Sequence, residues 1–127
     1  MSVSISIIGN ITVADSTTGI IALQKQLTNL TTTGSVFSEA SSISIGTTPV
    51  AIALPITPIT FLYVKNLHAT NTVTVTWTPQ GGASATIQTL EPGSAILFSQ
   101  NVAGAGISAL TVVANSTNTQ IEYIIGG

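Results

Sequence analysis

The side chains able to do acid–base, nucleophilic or metal chemistry are few. There is one histidine, His68, with four carboxylates (Asp15, Glu39, Glu91, Glu122), two lysines (Lys25, Lys65), and no arginine or cysteine. A serine-type triad would have to combine His68 with Asp15, and no Gly-x-Ser-x-Gly elbow presents a nucleophile to them. His68 stands in Asn66-Leu67-His68-Ala69-Thr70, between two expected strands, which suits a residue at a hairpin end better than a general base. Glu91 and Glu122 could be drawn together as a glycosidase pair, but the arginines and numerous aromatics that line a sugar site are missing. Glu91 precedes a Pro-Gly turn and Glu122 alternates with Ile121 and Tyr123, so both read as solvent-facing. One histidine and four scattered carboxylates show no metal-ligand spacing. Gly104-Ala105-Gly106 lacks the lysine and helix that would make a phosphate loop, and reads as an ordinary loop. The residues predict a protein that is not an enzyme, with no catalytic residue, metal or cofactor.

Composition narrows the classes further. The chain has 127 residues, the length of one domain, and only 5% of them are charged, where a soluble domain usually has about 25%. Hydrophobic residues keep a normal share at 44%, so the missing charges were replaced by hydroxyls: 14 Ser and 21 Thr make up 28% of the chain. Two lysines cannot neutralise a phosphate backbone, which excludes a nucleic-acid groove. The absence of cysteine excludes a disulfide scaffold and a thiolate metal site. Abundant Ile and Val with a net charge of −2 are the opposite of the disordered signature.

MSVSISIIGN lacks the basic segment of a secretory signal, so the chain is expected to start at Met1 and to be made in the cytosol. The most apolar run, Val50 to Val64, is shorter than the roughly 20 residues a helix needs to cross a bilayer and contains Pro55 and Pro58, so no membrane span is expected.

The elements that would carry these residues show themselves by period two. Every even position from Thr70 to Thr78 is threonine, against Asn71, Val73, Val75 and Trp77 on the odd positions, which is a strand with one apolar and one hydroxyl face. Val3, Ile5, Ile7, Ile11 and Val13 alternate in the same way with Ser and Thr; either one long strand bends at Gly9 or two shorter ones meet there. Residues 1–14 could form an extended arm that joins a neighbour's sheet. Further strands are expected at Phe37 to Ile45, Val50 to Leu54, Ile59 to Leu67, Ala83 to Leu90, Ser94 to Ser99, Ile107 to Val113 and Gln120 to Ile125. Turns separate them: Gln80-Gly81-Gly82, with glycines where positive φ is needed; Glu91-Pro92-Gly93-Ser94, a type II pattern; and Asn115 to Asn118. Residues 19–30 fit a helical stripe through Ile20, Leu23, Leu27 and Leu30 or a strand through Ile21, Leu23, Lys25 and Leu27, and the Thr-rich flanks favour the strand. Without a repeat of 20 to 50 residues or a linker-like block, residues 1–127 read as a single all-β domain, a jelly-roll-like antiparallel sandwich of about eight to ten strands.

Several finer features have plain readings. The sequons at Asn10, Asn29 and Asn115 match the number chance would give. A threonine ladder without a solenoid repeat is a β-propensity face, not an ice-binding plane. Trp77 shares the apolar parity with Val73 and Val75 and is expected in the core, while Phe61, Tyr63 and Lys65 share a face that is either core or contact surface.

An all-β domain has strand edges that recruit other strands, and soluble monomers blunt them with charge or proline. A chain with so little charge suits life packed against other proteins. The segments FLYVKNL at 61–67, TVTVTWTPQGG at 72–82, TLEPGSAILF at 89–98 and IEYIIGG at 121–127 resemble small β-sandwich structural proteins of tailed bacteriophage virions. This resemblance covers Phe61 to Gly127. It implies a virion structural protein, in particular a capsid decoration or cement protein that contacts copies of itself and the major capsid protein, with no nucleic-acid, membrane or small-molecule partner. The alternative is a tail-fibre or other receptor- or carbohydrate-binding sandwich, although fibre tips expose more Trp, Tyr, Asn and Asp than this chain contains.

Overall fold

The computed structural model describes residues 3–14, 17–18, 21–34, 36–82, 84–100 and 105–127. Ten strands follow one another: β1 Val3–Ala14, β2 Ile21–Gly34, β3 Phe37–Ile45, β4 Val50–Ala51, β5 Phe61–Asn66, β6 Val73–Pro79, β7 Thr86–Leu90, β8 Ala95–Ser99, β9 Ile107–Ala114 and β10 Thr119–Gly126. The segment that fitted both a helical stripe and a strand is a strand, β2.

β3 to β10 form a two-layer sandwich of antiparallel sheets, ordered β3-β10-β5-β8 and β4-β9-β6-β7. The pairing runs from the outside of the chain inward: β3 with β10, β4 with β9, β5 with β8, β6 with β7. Successive pairs alternate between the sheets, and this is how a long hairpin rolls into a jelly roll. The innermost hairpin, β6–β7, is closed at Gly81 and Gly82, whose φ angles of 96° and 78° lie where a side chain would be strained. Between β7 and β8 the Ser94 amide donates to the Glu91 carbonyl at 3.0 Å and Gly93 has φ 77°, the geometry its Pro-Gly sequence predicts. Asn118 takes φ 58° in the β9–β10 turn, a conformation that asparagine tolerates better than most residues.

Alternation puts the core between the sheets. Leu62 and Val64 from β5 and Ile121 and Ile125 from β10 meet Val73 and Val75 from β6 and Leu110 and Val112 from β9, all at most 2% exposed. Each such side chain contributes about 1.5–3 kcal/mol on leaving water. The β4 strand is shorter than its apolar run predicts, because Pro55 and Pro58 follow and withdraw the chain from the ladder. Ile52 and Ile59 still reach the core as loop residues. Across the outer face of the first sheet, Gly126 pairs with both Phe37 and Phe61, and a Cβ at Gly126 would meet the Phe37 ring and the Val36 carbonyl oxygen.

β1 and β2 form a separate antiparallel ribbon whose principal approach to the sandwich is from β2 to β8. Its register sets Val3, Ile5, Ile7, Gly9, Ile11 and Val13 across from Gly34, Thr32, Leu30, Leu27, Lys25 and Leu23. Between Ile7 and Gly9, two residues of β2, Thr28 and Asn29, stand against Ile8 alone. That bulge lies where the sequence expected a bend.

Candidate functional site

Of the residues singled out for chemistry, Glu39 and Glu122 line one groove with Tyr63, and Glu122 stands across from Lys65. Asp15 and Gly104 lie outside the described residues. His68 is half-buried in the β5–β6 loop, where local hydrogen bonds hold its ring. Its Nδ1 accepts from the amides of Asn71 at 3.0 Å and Thr70 at 3.2 Å, which in the neutral ring places the proton on Nε2. Its own amide donates to Asn66 Oδ1 at 3.0 Å. This agrees with a hairpin-end role.

The organiser of this end of the sandwich is Asn66, which composition had not marked. It is fully buried, and its Nδ2 donates to the carbonyls of Asn71 at 2.7 Å and of Leu90 and Glu91 at 3.2 Å. One side chain thereby ties the β5–β6 loop to the turn that follows β7. Asn71 Nδ2 donates to the buried Thr119 Oγ1 at 2.9 Å, and Thr119 donates to the Ser116 carbonyl at 2.9 Å, which adds the β9–β10 turn. Among the described residues no buried side-chain nitrogen or oxygen lacks a partner. The readable signal was that Asn66 shares the inward parity of Leu62 and Val64.

Glu91 is exposed beside its turn, but Glu122 is half-buried on the outer face of the first sheet. It stands across from Lys65, and its Oε1 accepts from the Tyr63 hydroxyl at 2.7 Å. Burial, then the hydrogen bond to Glu122, then that carboxylate's charge push the Tyr63 phenol up to about 12. Tyr63, Glu122, Ile124 and Glu39 line a groove of about 190 Å³. The strand β5 thus answers the question left open by its sequence: Phe61, Tyr63 and Lys65 share the outer face, with Phe61 only 3% exposed at one end of it.

Trp77 packs against the core but is not enclosed by it. With Phe98, Gln80, Gln100 and Ile107 it lines a cleft of about 330 Å³ at the end of the sandwich. Among the described residues its lining has two aromatic rings, two side-chain amides and the Thr86 hydroxyl, and no charged group. Among the described residues no three histidines, cysteines or carboxylates gather as metal ligands.

The second sheet presents a different surface. Thr74, Thr76 and Thr78 of β6 pair with Val113, Thr111 and Ala109 of β9, and on the other side Thr74 and Thr76 pair with Thr89 and Ile87 of β7. The outer face is thus a lattice of methyl and hydroxyl groups without a charge. Its border is β7, whose Thr86, Ile87, Gln88 and Thr89 are all exposed, Ile87 at 67%. Among the described residues only β6 pairs with β7.

No family model and no curated protein matches the chain. Among solved structures, one described as "Bacillus endospore appendages form a novel family of disulfide-linked pili" is similar, at 14% identity over 71% of this chain and 82% of that chain, with a TM-score of 0.49.

Proposed function

We propose that the protein is a non-enzymatic structural subunit that works by packing against copies of itself and against other subunits of an assembly. The observation that carries this reading is the β7 border. A strand with four exposed residues in a row and neither a charge nor a proline among them offers its free backbone groups to another strand. The opposite border of the same sheet, β4, is two residues long and lies close to Pro49 and Pro55, so the two borders are treated differently by the sequence. The adjoining threonine lattice has little charge to desolvate, which makes its burial inexpensive. With no cysteine in the chain, contacts between copies involve no disulfide.

The specific form of this reading is a virion structural protein, a capsid decoration or cement subunit located in the phage particle. It is supported by the resemblance of residues 61–127 to small sandwich proteins of tailed phages. Sedimentation of the purified chain over a wide concentration range tests the reading: species larger than the monomer are expected to grow with concentration. A chain that stays monomeric throughout would overturn it. Co-sedimentation of a tagged chain with intact particles, in many copies per shell, tests the virion form.

A further inference from the structure

The cleft at the Trp77 end of the sandwich is lined by both sheets, and its walls are held by the backbone. From the second sheet come Trp77 near the end of β6, Gln80 just beyond it, and Thr86, which stands across from Trp77 on β7. From the first come Phe98 of β8 and Gln100 after it. Ile107 also lines the cleft; it is fully buried and joined to Ile59 by two backbone hydrogen bonds of 2.9 and 3.0 Å. The backbone amide of Gln80 donates to the Gly106 carbonyl at 2.8 Å, and that of Gln100 to the Thr60 carbonyl at 2.9 Å. Both glutamines are thus fixed at the backbone. Among the described residues, however, neither side-chain amide nor the Thr86 hydroxyl has a hydrogen-bond partner.

We propose that this cleft binds an uncharged sugar, one hexose-sized unit of a free saccharide or of a glycan. The resemblance of residues 61–127 implies no small-molecule partner, and the site stands independently of the reading as an assembly subunit. Three features of the lining select the ligand. With no charged group, it offers nothing to offset the desolvation of an ion. A wholly apolar ligand would expel water and leave two amides and a hydroxyl without partners. A pyranose satisfies both halves of the lining. Its C–H faces can lie on the Trp77 and Phe98 rings, and its neighbouring hydroxyls both donate and accept, as a glutamine amide does. The volume, about 330 Å³, is near the lower end of the range for small-molecule sites, which fits one ring better than an oligosaccharide. A ligand of so few atoms is expected to bind at about millimolar affinity.

Trp77 is the only tryptophan of the chain, so its fluorescence reports on this cleft. The full chain is titrated with methyl glucoside, methyl galactoside and methyl mannoside, with glucuronate and glycerol for comparison. A saturable change in emission is expected with at least one of the three hexosides, and none with glucuronate or glycerol. Gln80→Ala and Gln100→Ala are each expected to weaken that binding by about three- to tenfold at an unchanged thermal midpoint. Saturation transfer from protein to sugar protons gives a second readout that does not depend on the indole. No response by either readout to any of the three hexosides, up to about a hundred times the expected dissociation constant, would overturn the proposal. So would an equal response to glycerol or glucuronate, or binding unchanged when both glutamines are replaced. An emission shift that grows with protein concentration and ignores sugar would put a second copy in the cleft, and it too defeats the sugar site.

Discussion

Two residues show how polar groups are made compatible with a nearly uncharged sandwich. Asn66 points into the core, where an unpaired amide would be costly, and its side-chain hydrogen bonds end on the β5–β6 loop, the last residue of β7 and the turn that follows it. Asn66→Ala leaves three carbonyls and one amide without that partner and is expected to cost about 2–3 kcal/mol, read as a lower urea midpoint at unchanged slope. Tyr63 makes the matching case on the outer face. Its pKa in the folded protein, about 12, is above the ordinary value of 10.0, so the native state favours the neutral phenol. The stability this provides is complete below pH 10 and is lost as pH rises through about 12. In Glu122→Gln the tyrosinate absorbance is expected to appear at lower pH than in the parent, yet still above 10, because burial is the largest cause of the shift and remains. Composition singled out His68 and Glu122 by their chemistry but could not say what they touch. Asn66 went unmarked because its identity is ordinary and only its neighbours give it a role.

At the level of elements, alternation was the readable signal. It located β3 and placed β6, β8, β9 and β10 to within a few residues, since each has one face in the core and one in water. It overran at β4, where the apolar run continues to Leu54 but the prolines end the pairing, and at β7, where the strand starts at Thr86. The border strands differ in ways that matter for assembly. Ile87 and Thr89 lie on the uncharged face and are exposed, so lysine at both is expected to leave folding stability within about 0.5 kcal/mol. The same double variant is expected to raise the concentration needed for self-association by at least about tenfold, through like charges facing each other at the border. Sedimentation alongside thermal unfolding separates the two effects. An equal loss of folding and association would mean that β7 is a structural strand and not a docking one.

For the whole molecule, the sparse charge acquires a geography. Threonine on the polar parity of β6, joined by residues of β7 and β9, makes one sheet uncharged on its outside, while Glu39, Glu122 and Lys65 lie on the outside of the other. The sequence by itself determined the all-β class, the approximate strand positions, and the glycine and proline turns, because these depend on local period and on backbone sterics within a few residues. It also determined that little acid–base chemistry was available, because that depends only on which side chains exist. Only the tertiary structure decided that β3 pairs with β10 and β5 with β8, that Asn66 and Asn71 together gather three loops, and that β7 is a border. Those facts arise from contacts between residues far apart in the chain, and a period-two pattern says which face is apolar without saying what covers it.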